Sequence, residues 1–476
     1  MSEVIKEPAR ENKMGVMPVG RLLINMSLPL VLSVLVQATY NVVDSIFISR
    51  IVDVGESGLA AISIAYPLQN LIFAVASGTG MGINAMLSRR LGEKRFDDAN
   101  RIAQNGLFLA MLSWAVFALV GIFFSRAYFV MQTDDPEIIA IGANYMRICV
   151  VFSFGMLGQI TLERFLLAVG RADLSMLSLM ASAVIKIILD PIMIFGYLGF
   201  PALGVTGGAV SSVTGQILGM GIALLLNLKY NKEISLFKKG FRPSRAAIGD
   251  IYKIGIPSIA MSSVGSVMTF GMNMILLSYT ATATAVMGTY FRLQTFFVQP
   301  AVALNNGVVS IVAYNYGAKK RERIIKTIRL SIIMSVSILM FSLAVMQIFP
   351  VQLLRAFNAS EDMLAIGTIA FRRISISYLG AGVVIILTAV FQALGRSVLS
   401  LILSLVRQLI VLLPCAYLLS RFYGLDAVWW AWPIAEISAL TMSFLFFRKT
   451  YRVTIKGIPD EEETAPVPDA EPLADG

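Results

Sequence analysis

Residues 168–175 read Ala168-Val169-Gly170-Arg171-Ala172-Asp173-Leu174-Ser175, and residues 393–400 read Ala393-Leu394-Gly395-Arg396-Ser397-Val398-Leu399-Ser400. The second stretch follows the first by 225 residues. The same offset pairs Gly92 with Gly317, Lys94 with Lys319, Gly142 with Gly367 and Arg147 with Arg372. Pro29 and Pro257 stand near the start of each half at a slightly different offset. Several matches at one spacing mark an internal repeat, so the chain is read as two copies of one structural unit.

Each copy has the composition of a membrane protein. The chain has 476 residues, 57% of them hydrophobic and 14% charged, with a mean hydropathy of +0.75. A soluble domain carries roughly 45–50% apolar and about 25% charged residues. A helix crosses a bilayer with about 20 apolar residues. Twelve runs meet that demand: 21–48, 58–87, 103–124, 138–162, 172–195, 205–227, 254–278, 284–314, 330–349, 365–392, 397–419 and 427–447. Six runs fall in each copy, so both copies enter the membrane in the same sense. The expected fold is an all-α polytopic membrane protein with twelve transmembrane helices in two six-helix lobes, related by a parallel pseudo-two-fold repeat. A central cavity between such lobes is typical of secondary transporters. The expected segments are 1–20, a cytoplasmic lead; 21–227, the N-terminal lobe; 228–253, a basic inter-lobe loop; 254–447, the C-terminal lobe; and 448–476, a cytoplasmic tail. From about residue 457 that tail holds seven acids and no base, a composition that predicts disorder.

What is missing narrows the function. The chain has no histidine, which removes the commonest general base and metal ligand. Its two cysteines, Cys149 and Cys415, sit inside apolar runs and suggest neither a disulfide framework nor a zinc site. No Gly-Lys pair occurs, so there is no phosphate-binding P-loop. An enzyme is not expected, nor a cofactor, nor a metal site. The net charge of +10 is uneven: loops 88–101, 227–253 and 318–329 carry five, seven and six Lys or Arg. The intervening short loops carry Arg50, Arg126, Arg355 and Arg421 with acids such as Asp134, Asp135, Glu137, Glu361 and Asp362. The positive-inside rule makes the basic loops cytoplasmic, and twelve spans then put both termini there. The charge is read as topology and contact with anionic lipid, not as nucleic-acid binding.

Ionisable residues at membrane depth are costly and are functional candidates. Gln37, Asn41 and Asp44 share one face of span 1 at i, i+4 and i+7. They form either a polar seam between helices or a site for a cation or proton. Ser178, Ser182, Lys186 and Asp190 step by four along span 5. Lys186 and Asp190 are either a static ion pair or, with Asp44 opposite, a proton-sensitive switch; Tyr40 and Ser212 would complete that site. In the second copy Arg292, Arg407 and Glu436 fall inside spans 8, 11 and 12, and Arg407 and Glu436 are a plausible interhelical pair. Asn305 and Asn306 are candidates to line the cavity. Glu163 and Arg164 read as a local ion pair.

Over roughly residues 20–450 the chain resembles the multidrug and toxic compound extrusion (MATE) transporters. The resemblance rests on Pro29 through Asp44 to Ile48, Leu166 to Arg171, Leu189-Asp190-Pro191, and Gly204-Val205-Thr206-Gly207-Gly208-Ala209. It rests further on Asn305-Asn306-Gly307 with Tyr314-Asn315-Tyr316-Gly317-Ala318-Lys319, on Arg407-Gln408, and on Trp432-Pro433-Ile434-Ala435-Glu436. It implies two lobes that alternate between inward- and outward-open forms in a prokaryotic cell membrane. It implies a secondary active exporter of amphipathic, often cationic compounds, driven by inward flow of H+ or Na+ and functional as a monomer. The family's acids of spans 1 and 5 map onto Asp44 and Asp190. One branch carries a Glu in span 7, whereas Ser262 to Thr269 hold no acid here. Some relatives hold Na+ with an Asn one turn before the span-5 Asp; Lys186 stands there, which favours H+. The alternative is a lipid-linked precursor flippase of the same broad superfamily, which calls for a more cationic cavity.

Overall fold

The structure is a computed structural model and describes residues 12–49, 51, 55–236, 241–357 and 359–459. The acidic tail beyond 459 lies outside the described residues. Among the described residues ten helices are long and apolar enough to cross a membrane, and two further pairs, bent by 45° and 50°, bring the number to twelve when each pair is taken as one span. In order the spans are α1 (Val19–Ser49), α2 (Gly55–Gly92), α3 (Phe96–Val130), α4 (Pro136–Val151 continued by Phe154–Ala168), α5 (Ala172–Phe195) and α6 (Val205–Tyr230). The second lobe has α7 (Arg245–Leu277), α8 (Ala281–Phe297 and Gln299–Gly317), α9 (Arg321–Ile348) and α10 (Glu361–Ser375 and Tyr378–Ala393). It is completed by α11 (Ser397–Tyr423, with a π-helical turn at Val406–Leu412) and α12 (Ala431–Thr450). With only hydrocarbon around them, backbone N–H and C=O groups must pair within each span, which is why helices are the solution. Several starts are set by side-chain caps. Asp135 accepts the amide N–H groups of Glu137 and Ile138, with Pro136 in the first turn. Ser244, Thr280 and Ser360 do the same for α7, α8 and α10.

The backbone repeats with the sequence. Lys94 and Lys319 both adopt positive φ (56° and 58°), as do Gly170 and Gly395 (82° and 72°). A Cβ added to Gly142 would strike Phe129, and one added to Gly367 would strike Leu354; these contacts too are 225 residues apart. The helix breaks after Val151 in α4 and after Ser375 in α10 fall at matching places.

The lobes meet at the end that carries the basic loops. One apolar cluster there draws on both lobes, joining Leu87, Ile83 and Phe165 to Ile251, Tyr314 and Phe391. Towards the other end the buried clusters belong to one lobe each: Ala61, Phe129 and Tyr145 in the first, Met287, Phe371 and Trp432 in the second. At the joint the ends of α2 and α8 cross so closely that a Cβ on Gly92 would run into the carbonyl of Tyr314, and one on Gly317 into the carbonyl of Arg89. Arg90 donates to Glu93 at 2.8 Å and reaches Asp250 of α7 at 3.2 Å. A short helix, Lys13–Val16, lies across this end. The Met14 carbonyl accepts from Asn315 (3.1 Å) and Arg323 (2.9 Å), the Gly15 carbonyl from Lys320 (3.1 Å), and the Met17 carbonyl from Arg323 (2.8 Å). Asn12 donates to the Val169 carbonyl (3.3 Å) and to Glu233 (2.7 Å).

Two outcomes follow from this joint. Gly92→Ala or Gly317→Ala should cost about 1–3 kcal/mol by overpacking, read as a lower melting temperature, while Gly221→Ala, with nothing within 4 Å, should be near neutral. Burial pushes the Glu93 carboxyl up, but hydrogen bonds from Arg90 and Arg89 outweigh it and hold the group below the usual carboxylate range. A lowered carboxylate stabilises the fold above its unfolded-state pKa, and that contribution is lost as pH falls through the lowered value. Glu93→Gln should therefore flatten the acid limb of melting temperature against pH; an unchanged limb would place the acid sensitivity elsewhere.

Candidate functional site

The polar face of α5 is turned against α6. Ser178 donates to the Gly219 carbonyl (3.0 Å) and Ser182 to the Gly215 carbonyl (2.9 Å). Asp190 is 1% exposed and accepts a hydrogen bond from Ser211. The facing residues of α6, Gly207, Ser211, Gly215 and Gly219, also step by four. Each glycine lets α6 approach: a Cβ on Gly215 would lie 3.0 Å from the Ser182 carbonyl and 3.3 Å from the Lys186 Cβ. The partner of Asp190 on α6 is thus Ser211. Its neighbour Ser212, the residue singled out from the sequence, is half-buried. The signal for Ser211 was present in that four-residue stripe of small residues. Lys186, one turn before Asp190, is 8% exposed, so two ionisable side chains lie buried on α5. Gln37 is half-buried on α1. Tyr40, Asn41 and Asp44 belong to the same helix, and their side chains lie outside the described residues.

Glu163 and Arg164 do not form the local pair expected of them. Successive helical residues point about 100° apart, so the two look in different directions. Glu163 accepts from Gln159 (3.0 Å) and Ser178 (3.4 Å), which ties α4 to the α5–α6 seam. Arg164 instead donates to Asn306 across the lobe boundary at 3.1 Å. Asn84 extends that bridge, donating to the Asn306 carbonyl (3.5 Å) and accepting from Ser310 (2.9 Å). Asn306 is therefore an inter-lobe contact. Asn305 faces its own lobe, donating to the Ile385 carbonyl at 3.3 Å.

In the second lobe Arg407 lies 3.5 Å from Glu436. Tyr290 and Tyr378, both buried, are linked by their hydroxyls at 3.3 Å. Arg292 is exposed on the first half of α8. Among the described residues no group of three His, Cys, Asp or Glu could hold a metal ion. What these parts can do is bind and release a proton or small cation inside apolar helices. Replacing Ser182 by Ala should cost about 0.6 kcal/mol, the mean for an interhelical hydrogen bond in a membrane. Gly215→Leu should cost more, by forcing α5 and α6 apart; equal melting temperatures for the two variants would deny the close approach.

Comparison with known proteins agrees with this architecture. The family model MatE matches residues 29–192 and 257–418, one match in each lobe. The chain is 25% identical over 441 residues to the multidrug export protein MepA of Staphylococcus aureus strain MSSA476, covering 92% of this chain and 96% of that protein. It is 26% identical over 435 residues to MepA of Staphylococcus haemolyticus, covering 91% and 94%. An outward-facing MATE family transporter of the MOP superfamily superposes with a TM-score of 0.88 at 22% identity, over 95% of this chain and 100% of that one. A MOP superfamily transporter from Pyrococcus furiosus does so with a TM-score of 0.87 at 22% identity, with the same coverage. The solved structures share the fold, and the family model spans well over half of the residues: the chain belongs to the MatE family.

Proposed function

We propose that this chain is a secondary active multidrug exporter that exchanges amphipathic, often cationic compounds for protons by alternating access. The observation that carries the reading is Asp190, 1% exposed and fixed by Ser211 inside a bundle of apolar helices, with Lys186 one turn away. A carboxylate is an expensive residue at that depth. The Staphylococcus relatives bear the name multidrug export protein, which supports the substrate class. Asp44 on α1 is the second acid of the site, with Gln37, Tyr40, Asn41, Ser182 and Ser212 as its polar surroundings.

The ion follows from Lys186. An ammonium one turn from a carboxylate competes with a dehydrated sodium ion for the same space. A proton competes with it only for the carboxylate oxygen. Protonation then biases the lobes to the extent that their two arrangements bind the proton differently. Proton coupling is therefore favoured over sodium. The protein is read as a monomer in the cell membrane. The basic loops 88–101, 227–253 and 318–329 mark the cytoplasmic side, and an even number of spans then puts both termini in the cytoplasm. The joined end of the lobes is then the cytoplasmic end.

The test is efflux of a fluorescent cationic dye from proteoliposomes. Export is expected under a proton gradient in sodium-free buffer and not under a sodium gradient at equal pH. Asp190→Asn should lower concentrative export by at least about tenfold, the scale of 1.36 kcal/mol, without loss of folded protein. Lys186→Asn should weaken the proton response and raise sodium dependence. Transport driven by sodium alone would sink the assignment of the ion, and wild-type export by Asp190→Asn would sink that of the site.

A further inference from the structure

Glu436 is a buried acid of the second lobe with one oxygen unpaired among the described residues. It is 7% exposed. Its Oε2 receives Arg407 Nη1 at 3.5 Å, the far limit of a hydrogen bond. Its Oε1 is enclosed and accepts no hydrogen bond from any described residue. An ionised carboxylate out of water needs donors on both oxygens; one with a single distant donor is poorly held as an anion. A proton on Oε1 removes the charge and with it that demand.

The neighbourhood is built in the manner of a site. Arg407 lies in the π-helical turn Val406–Leu412, a distortion that recurs at functional positions. The 225-residue offset carries Arg407 onto Ser182 and Glu436 onto Ser211. These are two polar residues of the α5–α6 seam that holds Asp190. Glu436 lies five residues inside the start of α12 and Asp190 five residues from the end of α5, each about 7.5 Å in from its helix end. The second lobe thus carries an acid at the place where the first lobe puts that acid's hydroxyl partner. The titratable groups that bear on Glu436 among the described residues are Arg407 from α11 and Tyr290 from α8, the latter tied to Tyr378 of α10.

From this we infer that Glu436 is a second proton-binding site, and that its protonation leaves Arg407 as an uncompensated cation in the C-terminal lobe. One O–H bond forms at Oε1 and no bond breaks. The Arg407 contact to Oε2 loses its ionic partner, so the lobe gains one positive charge. The Arg407 side chain keeps 30% of its exposure, so this charge is felt by a cationic compound nearby. Its meaning for transport rests on the export reading above; the proton binding does not.

Infrared difference spectra of the full chain in lipid nanodiscs, taken between alkaline and acid buffer, read the C=O stretch of each protonated carboxylic acid. A component that persists in Asp190→Asn and vanishes in Glu436→Gln is expected, with loss of one titrating group per chain. Glu436→Gln alone leaves Arg407 without its acid, so the spectrum is also taken on Glu436→Gln/Arg407→Gln, which retains neither charge. The same component is absent there if the inference holds. Its survival in the double variant would overturn it. Because the spectrum reads protonation without transport, failure of proton-driven dye export leaves this result standing on its own.

Discussion

The close crossing of α2 and α8 is the contact on which the remaining inter-lobe geometry depends. Gly92 and Gly317 are each pressed against a carbonyl of the other helix, that of Tyr314 and that of Arg89. No side chain larger than hydrogen fits at either point. Once the two helix ends touch, other pairs fall within reach: Arg90 with Asp250, Arg164 with Asn306, Asn84 with Ser310. Each is polar and short-ranged, and none would form if the helices stood a side chain further apart. The lobes are therefore joined through backbone contact within a shared apolar cluster, with polar side chains as fasteners around it.

The interiors of the lobes follow a different rule. In the first lobe α5 and α6 are laced by serine hydroxyls donating to glycine carbonyls. This arrangement satisfies polar groups without any net charge. Asp190 sits at the end of that lacing and accepts from Ser211 of α6. In the second lobe the corresponding helices carry the Arg407–Glu436 pair, and α11 relaxes into a π turn beside it. Two copies of one unit have thus kept the same helix contacts and diverged in the polar groups that sit on them.

Much of the fold was legible because membrane spans and repeats are written locally. Twelve apolar runs and one constant offset suffice for two six-helix lobes, and positive φ at Lys94 and Lys319 reproduces that offset in the backbone. The face of α5 was legible for the same reason: a spacing of four is a helix face. Its counterpart was not, since choosing Ser211 over Ser212 requires the rotation of α6, which small residues set through close approach. Arg164 was misassigned to Glu163 because adjacency in sequence is not adjacency on a helix. Its true partner, Asn306, lies 142 residues away and is visible only once the lobes are joined.

The short helix at Lys13–Val16 bears on how the chain is assembled. Asn315 lies 301 residues after the Met14 carbonyl it donates to. During synthesis that carbonyl and its neighbours at Gly15 and Met17 wait in water until α8 and α9 have been inserted. Asn315, Lys320 and Arg323 reach them only if both lobes have entered the membrane in the same sense. An inverted second lobe would carry those donors to the opposite face. The first described turn of the chain is thus the last to find its partners, and its docking registers that both halves have been threaded correctly.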